Sequence, residues 1–206
     1  MKHLLAFFSL LLLIACTTDE STYQHYLSNK GLESQLPERF QHCHGYGCKY
    51  ITPVRFTQSE WSEIEALFTP PLQSPEAERE RIKTAIGLFE QKVGAKTGTS
   101  VDIHGTFFKT GKYQLDCVDE STNTTVYLSL LQQKGLIRFH RVEGPSVRLP
   151  LIHAGRWPHQ TAVITELNTS EFFAVDSWFH DNGAPAEIIS LKEWKEGWKP
   201  NADSDS

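Results

Sequence analysis

No segment of this chain is apolar for long enough to cross a bilayer core, which takes roughly twenty helical residues. The longest such run, Leu4 to Ile14, is broken only by Ser9 and stops well short of that length. A membrane-spanning helix is therefore not expected. Positive charge is also short: 20 Lys and Arg face 25 Asp and Glu, for a net charge of −5, and the basic residues are scattered. Without a basic stripe to neutralise phosphates, no nucleic-acid partner is expected. Cysteine is sparse, with four in 206 residues, and a chain this long buries a sizeable core. Neither a metal nor a disulfide is needed merely for it to fold. Internal repeats and low-complexity blocks are absent, which argues for one domain rather than a solenoid.

What the N-terminus does contain is a positive start, Met1-Lys2-His3, an apolar run, and the close Leu13-Ile14-Ala15-Cys16. That order reads as an export signal. A small residue followed by Cys resembles the lipobox of bacterial lipoproteins, in which the thiol receives a diacylglycerol before cleavage on its N-terminal side. The resemblance implies a signal peptide over 1–15 and a Cys16 carrying acyl chains of the palmitate type. It also implies a membrane anchor, since more than one chain gives stable attachment. The plainer alternative is an ordinary cleaved signal with an incidental Cys. Thr17, not Asp, follows the Cys. In such lipoproteins that goes with the outer membrane and a domain facing the periplasm.

Residues 16–37 are polar with scattered aromatics and read as a lipidated flexible tether; 38–199 read as the domain and 200–206 as a polar tail. Thr57-Gln-Ser-Glu60 has capping-box spacing, and Trp61, Ile64, Leu67 and Phe68 follow at helical intervals up to Pro70-Pro71. Ser74-Pro75 opens a second helix, with Ile82, Ala85, Ile86, Phe89 and Val93 on one face and Gly94 as its end. After a connection over 94–113, a third helix is expected from Cys117 or Val118 to Lys134, stopped by Gly135. The period then changes to two. Residues 136–142, 160–167 and 171–178 read as strands, the last two a hairpin about Asn168-Thr169. Ser190 opens a short closing helix. This order predicts an α+β domain with helices packed on an antiparallel sheet.

If Cys16 carries lipid, Cys43, Cys48 and Cys117 remain. Cys43 and Cys48 flank His44-Gly45-Tyr46-Gly47, where two glycines permit a sharp turn. In an oxidising compartment the pair is expected to form a small-loop disulfide. A Cys/His metal site using His42 or His44, and a pair of free thiols, are the alternatives. Cys117 falls at the predicted start of a helix, in Gln114-Leu-Asp-Cys117-Val-Asp119-Glu120. Unpaired N–H groups and the helix dipole favour a thiolate there. A buried, inert packing cysteine is the competing reading.

His159 opens one strand of the hairpin and Asp176 lies near the end of the other. With Asn168-Thr169 as a two-residue loop, His159 faces Trp178, and Asp176 is its diagonal neighbour on the same face, within side-chain reach. An odd shift of register would send the two to opposite faces. A thiol, an imidazole and a carboxylate that fixes the imidazole's tautomer are what acyl transfer by cysteine requires.

Asp116-Cys117-Val118-Asp119 at a helix start, Gly135-Leu136-Ile137 leading into strands, then His159 and Val175-Asp176 follow one another in that order. The stretch from Gln114 to Trp178 thereby resembles the transglutaminase-like, papain-related superfamily, particularly its bacterial cysteine proteinases. The resemblance implies a transglutaminase-like or papain-like fold without a cofactor. It implies Cys117 as nucleophile, His159 as base then acid, and Asp176 as the group that orients it. Gln114 and the Cys117 N–H would donate to the oxyanion, a surface role for Gln114 being the alternative. A protein or a peptidoglycan peptide is the expected substrate of such a peptidase, amidase or transglutaminase-like enzyme. The rival expectation is a non-catalytic envelope binding or scaffold lipoprotein that keeps the fold.

The remaining polar and aromatic residues carry plainer expectations. Asp119 is placed to cap the first helical turn. His140 and His153 read as surface or hydrogen-bonded histidines. Asp181, in the turn His180-Asp181-Asn182-Gly183, is a reserve for the acidic role. Trp157, Trp178, Trp194 and Trp198 line a groove or pack the core.

Overall fold

The computed structural model describes residues 21–33, 35–106, 111–149 and 158–200. The signal over 1–15, Cys16, His153, Trp157 and residues 201–206 lie outside the described residues.

The described chain is α+β, and packed structure starts inside the segment expected to be a tether. Ser21 and Gln24 form a capping box for α1 (Thr22–Asn29), which buries Tyr23 and Leu27, with Leu32 buried just beyond. Apolar side chains four residues apart give even this polar helix a docking stripe. The part of the expected tether at Thr22–Asn29 is thus corrected: it is a helix packed on the domain. A hairpin follows, β1 (Phe40–His44) and β2 (Tyr50–Val54), with His44 opposite Tyr50. The sequence pattern does not announce it, because both strands are five residues long and Gln, His and Pro obscure their alternation.

α2 (Gln58–Ala66) starts at the Thr57 capping box, and α3 (Pro75–Thr97) at the Ser74 cap. Gly94, however, does not end α3. A Cβ there would sit 2.7 Å from Asn182 Oδ1 and 2.9 Å from the Ser100 nitrogen, so the glycine permits a close approach within the helix. The terminator is Gly98, whose φ of 85° stops the helix before a single 3₁₀ turn at Thr99–Val101.

α4 (Cys117–Gln133) runs through the centre, and every residue from Asp119 to Leu131 is buried. The polar run in it tolerates burial because its side chains are bonded. Asn123 bridges the Cys43 backbone, accepting from its nitrogen at 2.7 Å and donating to its oxygen at 2.8 Å. Thr122 and Thr125 donate back to the carbonyls of Val118 and Ser121. α4 packs against β1 and α3 and against a four-stranded antiparallel sheet. That sheet runs in sequence order, β3 (His140–Arg148), β4 (His159–Glu166), β5 (Phe172–Asp176) and β6 (Glu187–Ser190), and α5 (Leu191–Lys195) closes the chain. The first strand begins at His140 rather than residue 136, and β6 is a strand that the sequence pattern leaves unmarked.

The hairpin that matters most has the expected register, with Ala162 opposite Val175 and Thr165 opposite Phe172. Its connection is longer than expected: Ser170, at φ 59°, donates its N–H to the Glu166 carbonyl. Loops of two and four residues share the same parity, so each facing pair is unchanged.

Candidate active site

Asp116 caps α4, its Oδ1 accepting from the nitrogens of Val118 at 3.0 Å, Asp119 at 2.9 Å and Gly47 at 3.1 Å. Asp119 does more than cap. Its carboxylate accepts from Tyr46 N at 2.7 Å and Cys48 N at 2.5 Å. Gly45, Tyr46, Gly47 and Cys48 are successive left-handed residues; the N–H groups of the last three point at the two carboxylates, while that of Gly45 donates to the Gln114 carbonyl. A disulfide joins Cys43 to Cys48 across this loop, with Cα atoms 4.6 Å apart. The loop is therefore fastened to the helix start that carries Cys117.

That loop is not arranged as a metal site. The Cys43 and Cys48 sulfurs gather with an Asp119 oxygen, but they are bonded to each other. His42 pairs with Tyr127 and Thr99, and His44 with Lys112 O and Thr52, so all four ring nitrogens already have protein partners. Burial also pushes the His42 imidazole down to about 3, keeping it neutral.

On the opposite side of the helix start, His159 Nε2 lies 2.7 Å from Asp176 Oδ2, with both residues buried. A carboxylate only accepts, so Nε2 is the donor, and in the neutral ring Nδ1 is then the nitrogen with the lone pair. Nδ1 is buried and has no hydrogen-bond partner among the described residues. Trp178, Phe179 and Trp194 surround the imidazole, with ring centroids 4.7, 5.4 and 5.5 Å away. Cys117, the first residue of α4, is half-buried, and its sulfur accepts from the backbone N–H of Gln160, the residue after His159. Cys117 thus meets β4 at the residue after His159, and His159 meets Asp176 across β4 and β5; among the described residues no hydrogen bond joins the sulfur to Nδ1.

The electrostatics at the sulfur differ from those expected of a helix start. Burial pushes the Cys117 thiol up to about 11; the Gln160 bond opposes this, while Asp116 and Asp176 add to it. At neutral pH the sulfur is a thiol, not a preformed thiolate.

Gln114 is engaged elsewhere. Its side-chain nitrogen donates to Val101 O at 2.9 Å and its oxygen accepts from Ile103 N at 3.3 Å, so the amide pins the 101–103 segment rather than offering a free oxyanion donor. Asp181 pairs with His104 at 2.7 Å on the surface and leaves the acidic position to Asp176. His140 is buried, its Nδ1 2.9 Å from Glu78 Oε1, and is a hydrogen-bonded core histidine. A surface groove of about 770 Å³, lined by α1, Leu32, Glu33, Gln35, Leu36 and the end of α4, includes none of the three site residues.

Two further features go beyond the expected residues. Trp194, read from sequence only as groove or core, donates its indole N–H to Asp176 Oδ2 at 2.7 Å. Beside the site lies a buried set of carboxyls, Glu90, Asp102 and Glu120. Ser177, next to Asp176 in the chain, donates to Glu120 at 2.9 Å. Burial raises all three acids, Glu90 to about 7, Asp102 to about 6 and Glu120 well above the usual carboxyl range.

Compared with family models, curated proteins and solved structures, the chain matches none. Among the described residues no helix is long and apolar enough to cross a membrane.

Proposed function

We propose that this chain is a lipid-anchored envelope protein of transglutaminase-like, papain-related type that transfers acyl groups through Cys117, His159 and Asp176. The observation that carries the proposal is the bond from His159 Nε2 to Asp176, which leaves a buried, unpartnered Nδ1 on the nitrogen that a thiol would use. Since the resting sulfur is protonated, its proton passes to Nδ1 as the sulfur attacks a carbonyl, and the new imidazolium is balanced by Asp176. The imidazolium then protonates the leaving amine, giving a thioester that water or a second amine resolves. The Cys117 N–H, at the first position of α4, is the oxyanion donor the helix start supplies.

Alkylation of the detergent-extracted full chain with iodoacetamide, read by mass spectrometry at Cys117, tests the proposal. His159→Ala is expected to slow labelling at pH 7 by roughly ten-fold or more, the lower part of the range for general-base assistance. Equal rates in the two proteins would overturn it. The raised thiol favours a second reading, a non-catalytic envelope binding module in which Cys117 only packs. On that reading Cys117→Ala leaves cellular function intact and His159→Ala leaves labelling unchanged.

A further inference from the structure

We infer that Trp194 is a positioning residue for the imidazole, acting through Asp176, an inference that rests on the acyl-transfer reading of this site. Oδ2 of Asp176 receives two N–H groups, His159 Nε2 at 2.7 Å and Trp194 Nε1 at 2.7 Å, while Oδ1 accepts from Trp178 N at 3.3 Å. A tryptophan that served packing alone would satisfy its N–H on any nearby acceptor. Here it shares the one oxygen that holds the imidazole.

The indole is itself held from the far edge of the site. Arg148 places its guanidinium 4.6 Å from the Trp194 ring centroid. Its Nη1 also donates to the carbonyls of Trp194 at 2.7 Å and Trp198 at 2.9 Å. Arg148 pairs with His159 across β3 and β4. The four residues Arg148, Trp194, Asp176 and His159 therefore close a ring through β3, α5, β5 and β4, and Trp194 is fully buried within it. A second donor on Oδ2 stabilises the ionised carboxylate and fixes the direction in which it faces Nε2. The proton stays on Nε2, and Nδ1 keeps its lone pair for the sulfur. Trp194 touches no reacting atom; it fixes the direction and tautomer of the group that does.

Nitrogen-15 NMR of histidine-labelled full chain reads the tautomer directly, with Cys117 alkylation at pH 7 measured on the same samples. In the wild type His159 is expected as the Nε2–H tautomer. Trp194→Phe is expected to mix the two tautomers and to slow alkylation roughly ten-fold, the effect of losing one hydrogen bond to a charged group. A folded Trp194→Phe with wild-type tautomer and rate overturns the inference. If that variant does not fold, suppressor-tRNA replacement of Trp194 by 3-benzothienylalanine, an isostere without the N–H, decides by the same two readouts. Failure of the acyl-transfer reading is distinguishable: alkylation then ignores His159→Ala, whereas the tautomer still reports whether Trp194 orients the ring.

Discussion

The carboxylate of Asp119 holds the backbone N–H of Cys48 at 2.5 Å, so the second cysteine of the disulfide is tied to the helix that Cys117 begins. Asp119→Ala leaves the N–H groups of Tyr46 and Cys48 without this acceptor and is expected to cost about 2–4 kcal/mol in urea unfolding. Cys48→Ser opens a cross-link across a sequence separation of 5 and is expected to cost about 2 kcal/mol. Because both changes release one loop, the double variant loses less than the sum of the two.

Glu78 anchors α3 to the start of the sheet. Its carboxylate, 1% exposed, accepts from the nitrogens of Arg138, Phe139 and His140 and pairs with His140 Nδ1. Glu78→Ala strands these donors in the core and is expected to cost about 3–5 kcal/mol. Glu78→Gln retains an acceptor oxygen and is expected to cost clearly less. The two midpoints in urea check the order.

Much of the site was legible because its determinants are local or depend on parity. The start of α4 at Cys117 was legible although its N-cap is Asp116, with the expected Asp119 completing the capping box, and the pairing of His159 with Asp176 follows from an even-membered loop, whatever its length. The disulfide follows from two cysteines flanking a glycine-rich turn. Trp194 was not legible as a partner of Asp176, because α5 reaches the site only through tertiary packing. The thiolate expected at Cys117 failed for a similar reason: burial, which comes from tertiary packing, outweighs the helix start, and Asp176 and the adjacent Asp116 add to it. The buried acids did leave a trace. Glu78, Ile82, Ile86 and Glu90 recur every fourth residue on one buried stripe of α3, which marks both glutamates as internal.

Gln114 separates two roles that the sequence leaves open. Since its amide holds the backbone at Val101 and Ile103, Gln114→Ala is expected to cost about 1–2 kcal/mol of stability. Labelling of Cys117 at pH 7 should remain within about two-fold of the wild type if that structural role is the whole of it. A turnover loss of about 10²-fold with stability unchanged would instead make it the oxyanion donor.

The carboxyls of Glu90, Asp102 and Glu120 make stability depend on pH in an unusual direction. Each is raised by burial, and the charges of the neighbouring acids raise it further. In the unfolded chain such groups lose their protons near pH 4, whereas the folded protein keeps them to about pH 6 for Asp102 and about 7 for Glu90. Between those limits the native state binds more protons than the unfolded state, so stability falls as pH rises. The contribution of Asp102 and Glu90 is full below about pH 4 and declines through pH 7; Glu120, raised well above the usual carboxyl range, adds to the same fall. Thermal unfolding is therefore expected several degrees higher at pH 5 than at pH 8, ~5 °C for a domain of this size. Glu120→Gln keeps the shape of the cluster and its acceptor for Ser177 while removing one charge. It is expected to raise the melting temperature at pH 8 more than at pH 5, flattening the profile. An unchanged slope in that variant would mean that other titrating groups set the pH dependence.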